Sequence, residues 1–319
     1  MKEYAFGVDV GGTTVKIGLF NSEGYLLDKW EIPTNKENYG ASVLPDIADS
    51  IRLKMDEKDI SIEEIQGVGI GAPGAVNREG TLVNGAVNIG WGVFNIPDVF
   101  ERYLEVPVVA ANDANAAAYG EMLRGGGRGF SDLVMVTLGT GVGGGIISNG
   151  EIVTGINGVG GEIGHLHVED YETEECGCKK IGCLEQYASA TGVVRLANRR
   201  LEADDKYSIL REGTVTAKAV FDAVKVGDEL AIEIAEEFGN YLGKGLALVA
   251  TVVNPEVFVI GGGVSKAGKI LLKYIEPAFK KYVFAPARTT HFTMAKLGND
   301  AGIYGAAGLI LNKEDGWAY

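Results

Sequence analysis

The sequence predicts an α/β protein of two duplicated lobes that face each other across a cleft. Three observations carry that expectation. Residues 5–24 and residues 133–150 share one pattern: strand, glycine-rich turn, strand, asparagine-containing turn. Strand patterns alternate with helical ones in both halves, as in sheets covered by helices. The 319 residues, 46% of them hydrophobic, exceed one simple core and carry no low-complexity linker, so the halves are expected to pack together.

In chain order, residues 4–10 read as a strand, Gly11, Gly12, Thr13 and Thr14 as a tight turn, and residues 15–20 as a second strand. The Asn21–Gly24 turn leads into a third strand over 25–32, and residues 41–55 have helical spacing of apolar side chains. A fourth strand is expected over 67–70. Residues 106–111 read as a buried strand ending in Asn112 and Asp113, followed by a segment of high helix propensity over 114–123. The second half restarts with a strand over 133–138, a glycine turn over 139–145, and a strand and turn over 146–150. Residues 230–253 form a long helical pattern containing Gly239, Gly243 and Gly245, which mark close packing or a near ligand. A strand over 257–260 then ends in Gly261, Gly262 and Gly263. The apolar run 246–253 is far too short to cross a bilayer and reads as a buried helix.

Forty-three acidic against 29 basic residues give a net charge of -14, which disfavours nucleic acid and anionic membrane surfaces as partners. A polyanionic ligand would need local positive groups or a metal ion. The N-terminus shows no secretion signal, so a cytoplasmic location is expected. All three cysteines, Cys176, Cys178 and Cys183, lie within eight residues, which suggests metal thiolates in a reducing compartment rather than disulfides.

A glycine tip between strands lets backbone N–H groups converge on an anion, and two facing tips would cradle a triphosphate. Thr13 and Thr14 add hydroxyls at the first tip, and Thr140 and Gly141 belong to the second. Asp9, at the end of the first strand, would stand beside the phosphates and hold hydrated magnesium. Lys16 can reach a phosphate or simply be a solvated strand residue. Gly262 and Gly263 would admit an adenosine close to the backbone. Gly139, Gly141 and Gly144 have the spacing of a dinucleotide fingerprint, but a strand rather than a helix is expected after them. Residues 263–269 approximate a phosphate-binding loop, but Ile270 stands where a hydroxyl is needed.

One imidazole with three thiolates is a complete ligand set for a closed tetrahedral zinc site. His165 and His167 both precede the cysteines, and spacing alone does not choose between them. Asn112 and Asp113 can each cap the following helix, yet a carboxylate at a strand end beside a cleft can also take a proton from an alcohol. Asp113 is the candidate base. Glu162 and Glu185 flank the cysteine loop and, with Asn112 and the backbone at Pro73-Gly74, suit a neutral ligand rich in hydroxyls.

On these residues the chain resembles the ROK family of sugar kinases and related regulators, and it is most similar to the family's glucokinases. The motifs are Asp9-x-Gly-Gly-Thr13, Gly71-Ala-Pro-Gly74, Asn88-Ile-Gly-Trp91, Asn112-Asp113, the 139–145 run, the 161–165 segment, and Cys176-Gly-Cys178 through Cys183-Leu-Glu185. The resemblance implies the actin-like, hexokinase-type, ribonuclease H-like fold with duplicated βββαβαβα lobes. The lobes would be 1–112 plus a returning segment of about 300–319, and 113–299 with a zinc loop over 165–183. It implies ATP-dependent phosphorylation of glucose at the 6-hydroxyl, with Asp113 as general base and Gly74, Asn88, Asn112, Glu162, His165 and Glu185 around the sugar. An N-acetylhexosamine kinase, for N-acetylmannosamine above all, is the alternative within the family, and a non-catalytic sugar-binding regulator the alternative outside catalysis. With Asp9 only eight residues from Met1, the regulators' DNA-binding domain is not expected. His165, rather than His167, matches the family's zinc ligand. Magnesium with ATP, structural zinc, and assembly as a dimer or tetramer are further implications. One departure stands out: Lys179 occupies the position after the second cysteine where the family carries glycine.

Overall fold

In the computed structural model, residues 2–86 and 88–311 are described. The end of the expected returning segment, 312–319, lies outside them. Strands β1 (Tyr4–Val10), β2 (Thr14–Asn21) and β3 (Leu26–Pro33) form an antiparallel meander, and β4 (Ile65–Ala72) joins β1 in parallel. A small antiparallel sheet of β5 (Ala75–Val76), β6 (Leu82–Ala86) and β7 (Trp91–Asn95) precedes β8 (Val108–Asn112), which pairs in parallel with β4. The second large sheet repeats the plan: β9 (Leu133–Leu138), β10 (Val142–Ser148) and β11 (Glu151–Ile152) are antiparallel. Strands β12 (Val257–Gly261) and β13 (His291–Met294) then add in parallel. The orders β3-β2-β1-β4-β8 and β11-β10-β9-β12-β13 are the same topology twice.

Each sheet buries its own core. Phe6, Val8, Ile17, Ile47, Val68 and Ile70 pack in the first, and Val134, Val136, Leu184, Phe238, Leu246 and Phe258 in the second. Two helices join the sheets. The Asp113–Arg124 helix packs Ala118 and Met122 on Leu133 and Met135, and the Ala301–Leu311 helix packs Ile303, Ala307 and Ile310 against Ala5 and Phe20. Small residues bring the two helices together, for a Cβ at Gly305 would stand 1.7 Å from the Ala116 carbonyl. The Ala301–Leu311 helix thus packs on strands of the first sheet.

The expected turn over 139–145 is corrected. Strand β10 begins at Val142, so Gly143–Gly145 are strand residues and the turn is confined to Gly139–Gly141. The cause is close packing: a Cβ at Gly145 would lie 2.5 Å from the Ala118 Cβ and 2.8 Å from the Ala114 carbonyl. In the Glu229–Val253 helix, Gly239 and Gly243 likewise admit the Leu272–Tyr282 helix, with a Cβ at Gly239 placed 2.5 Å from the Tyr274 carbonyl. Those glycines answer to packing rather than to a ligand. The same helix buries Leu246, Ala247 and Val249 but leaves Leu248 and Val252 exposed. Among the described residues no helix is long and apolar enough to cross a membrane.

Candidate active site

A cavity of about 680 Å³ opens between the sheets, and its walls bring together residues that are far apart in the chain. Asp9, Lys16, Asp113, Gly262 and Gly263 border it. Gly262 holds φ +83°, and a Cβ there would fall 2.5 Å from the Leu138 amide nitrogen, so only glycine fits this bend. Thr137, Ser265, Lys266 and Lys296 also line the cavity and were not foreseen. Lys266 lies in the 263–269 segment that was set aside as a phosphate-binding loop. Gly263 leads into a one-turn helix, Val264–Ala267, which Gly268 ends. Lys16 donates to the Asn299 carbonyl at 2.9 Å from the cavity wall.

The remaining predicted residues stand outside this cavity. At the first glycine turn, a Cβ on Gly12 would lie 3.8 Å from both the Asn88 amide nitrogen and the Lys36 ammonium. Two donors thus face the turn formed by Gly11, Gly12 and Thr13, which closes through the Gly11 N–H on the Thr14 carbonyl at 3.1 Å. Lys36 has no motif around it that could have marked it. At the second turn the Thr140 carbonyl accepts from the Thr191 hydroxyl at 3.0 Å, and Gly141 is pressed against Glu185.

Asn112 caps the Asp113–Arg124 helix, its side-chain oxygen accepting from the Ala114 and Asn115 N–H groups at 3.0 and 3.2 Å. Its amide nitrogen donates to the Gly74 carbonyl at 3.0 Å, which ties β8 to the glycine after β4. Gly74 needs its φ of +89°, since a Cβ would come 2.0 Å from the Gly85 carbonyl. With the cap supplied by Asn112, Asp113 turns toward the cleft and accepts from Ala114 N–H at 2.8 Å. Water reaches Asp113 along the cleft, but protein encloses it on its other sides. That enclosure, with the nearby Glu162 charge, raises its pKa against the lowering effect of the Ala114 hydrogen bond. Asp9 is pushed up to about 6 by burial and by the Asp113 charge, with Lys16 opposing.

The cysteine loop closes beside the second turn. Ligand atoms of His165, Cys176, Cys178 and Cys183 all lie within 4.8 Å of one another. Cys178 and Cys183 sulfurs are 3.6 Å apart, and Cys176 Sγ is 3.8 Å from His165 Nδ1. One imidazole and three thiols converging at that spacing fit a tetrahedral zinc ion. His167 turns away, with Nδ1 3.1 Å from the Ile181 carbonyl and Nε2 2.8 Å from Asp170. The choice that spacing left open therefore falls on His165. Burial pushes the Cys176 thiol up to about 12, and it donates to Glu185 Oε1 at 3.1 Å. Glu185 Oε2 accepts from Val142 N–H at 3.2 Å, so one carboxylate links the cysteine loop to the second glycine turn. Lys179 adopts φ +69° where the family has glycine, a backbone state that costs a side chain about 1 kcal/mol or more.

A second cavity of about 400 Å³ lies on the other face of the Asp113 helix, against Asn115 and Tyr119, and of the predicted residues only Asn112 borders it.

The chain is 43% identical to a glucokinase of Halalkalibacterium halodurans, over 97% of this chain and 95% of that protein. It is 30% identical to an N-acetylgalactosamine kinase of a Shewanella species, over 98% and 99%. A ROK family glucokinase from Streptomyces griseus, solved in complex with glucose and AMPPNP, superposes with a TM-score of 0.74 at 35% identity, covering 96% and 98%. These likenesses are to actin-like two-lobe kinases, in accord with the duplicated sheets. The ROK family model matches residues 5–313, spanning both large sheets and the cleft between them, and the chain belongs to the ROK family.

Proposed function

We propose that this protein transfers the terminal phosphoryl group of ATP to the 6-hydroxyl of glucose, with Asp113 as general base. The observation that carries the reading is the cavity that holds Asp113 together with Asp9, Lys16, Lys266 and Lys296. A proton acceptor thus stands beside cationic side chains suited to a polyphosphate, in a chain that is otherwise strongly acidic. The glucokinase relatives supply the acceptor class.

On this reading, Asn88, Asn112, Glu162, His165, Glu185 and the Gly74 backbone hold the sugar hydroxyls. Asp113 takes the proton of the attacking hydroxyl, and the oxygen so freed forms the new P–O bond as ADP leaves. Gly11, Gly12, Thr13, Thr14, Thr140 and Gly141 offer N–H and hydroxyl donors to the phosphates, while Gly262 and Gly263 admit the adenosine. Asp9 would face the hydrated magnesium that accompanies ATP and offsets phosphate charge. His165, Cys176, Cys178 and Cys183 would hold zinc with no open coordination position, which makes it structural. The lobes are 1–112 with the segment from about 300, and 113–299. We read the protein as a cytoplasmic homo-oligomer, its three free thiols favouring a reducing compartment.

An N-acetylhexosamine as the acceptor is the second reading, supported by the Shewanella relative. The two separate on ADP release with glucose, N-acetylmannosamine, N-acetylglucosamine, N-acetylgalactosamine, mannose and fructose under one set of conditions. Glucose is expected to lead in kcat/KM. An amino sugar leading would replace the acceptor, and no turnover on any sugar would overturn the kinase reading.

Both carboxylates must be ionised, Asp9 to face the cation and Asp113 to accept the proton. With Asp9 pushed to about 6, protonation competes with magnesium below that value, so kcat/KM for Mg-ATP is expected to fall as pH drops through about 6. A profile flat from pH 7 to pH 5 would contradict it.

A further inference from the structure

We propose that Glu121 is a positioning residue that fixes the helix carrying Asp113 to both chain passages between the two large sheets, and so sets the base against the nucleotide side of the cavity. The proposal rests on the kinase reading for its catalytic consequence, though not for its geometry. Glu121 is 0% exposed, a rare state for an acid in a chain with 43 of them. Its carboxylate collects backbone donors from two separate segments. Oε2 accepts from Gly126 N–H at 2.6 Å and from Lys296 N–H at 3.0 Å, and Oε1 accepts from Lys296 N–H at 3.0 Å and Leu297 N–H at 2.8 Å.

Those segments are the two places where the chain passes between the large sheets. Gly126 lies between the Asp113 helix and β9, and Lys296-Leu297 lies between β13 and the Ala301–Leu311 helix. The glycines at the first crossing make the approach possible, since a Cβ at Gly125 would stand 1.9 Å from Glu121 Oε2. On the helix, residues 113, 117 and 121 share one face, about 12 Å from end to end. Asp113 and Ala117 border the cavity there, as do Lys296, Gly298 and Asn299 from the other side. The Asn299 carbonyl in turn receives Lys16. A carboxylate bound to several N–H groups makes short, strong, directional bonds, and removing one acceptor leaves buried donors unmatched. Movement of the lobes would pivot on this anchor, with base and nucleotide wall kept in register. In the sequence Glu121 looks like any other helix acid, and only the fold shows it buried.

The test is Glu121→Gln in the full-length protein, which keeps the shape but loses one acceptor oxygen. The expected result is a fall in kcat of about tenfold or more with a raised KM for Mg-ATP. Sugar affinity measured without nucleotide stays within about twofold, because Asn112 on the sugar side is held separately by its bond to the Gly74 carbonyl, whereas the anchor bears on the nucleotide wall at Lys296. A lower Tm with unchanged kcat and KM values, or parallel loss of sugar affinity, would overturn the positioning role. If that variant does not fold, Leu297→Pro deletes one donor at a residue whose φ of -79° already suits proline, and the same kinetic split is expected. Hydrogen exchange on the wild-type protein is independent of activity. Slow exchange at the amides of residues 126, 296 and 297 is expected, and exchange as fast as an exposed loop would overturn the anchor. A wild-type protein inactive on every sugar would sink the kinase reading while leaving the exchange result to judge the anchor.

Discussion

Asp113→Asn is expected to lower turnover by roughly 10²–10⁴-fold while sugar affinity stays near that of the wild type. The substitution is close in shape, and the helix cap is unaffected because Asn112 provides it. The side-chain oxygen can still accept from Ala114 N–H, as Asp113 does at 2.8 Å. What the amide cannot do is receive the proton of an attacking hydroxyl. Enclosure by protein on the sides away from the cleft raises the Asp113 pKa, which makes the carboxylate a better proton acceptor than an ordinary aspartate, so its loss should be felt in the chemical step rather than in binding. Single-turnover kinetics with calorimetric sugar binding separates the two. Near-normal turnover would remove Asp113 as the base.

Cys178→Ser is expected to lower both zinc content and sugar affinity, the latter by about tenfold or more. Structural zinc sites contribute on the order of 10 kcal/mol to local folding, so one lost thiolate should release the loop. The consequence reaches the sugar side through two residues. His165 would be both ligand and sugar neighbour, and Glu185, two residues after the ligand Cys183, is held toward the second glycine turn by Val142 N–H at 3.2 Å. Metal analysis and calorimetry on the purified variant check this. Treating the wild-type protein with a chelator should reproduce the loss, and added zinc should reverse it. Full metal content with unchanged affinity in the variant would sever the link between loop and pocket.

The chain's own chemistry made much of this legible before the fold was known. Strands β1 and β9 stand where the apolar runs place them, because a strand buried on both faces is apolar throughout and ends at its glycine turn. Gly143–Gly145 were misread because a glycine run looks the same whether it bends the chain or admits a helix against a strand. The cysteine loop was readable from local spacing. His165 and His167 could not be told apart that way, since only the fold turns His167 to Asp170. Lys36, Lys266, Lys296 and Glu121 escaped for a common reason: each gains its place from a contact with a distant segment, and an isolated charge carries no trace of that.

The central claim is best tested by isolating the product formed from glucose and Mg-ATP by the purified protein and locating its phosphate by NMR. Glucose 6-phosphate in equal amount to ADP is the expected result. Phosphate on another hydroxyl, or ADP formed without a sugar phosphate, would contradict the account.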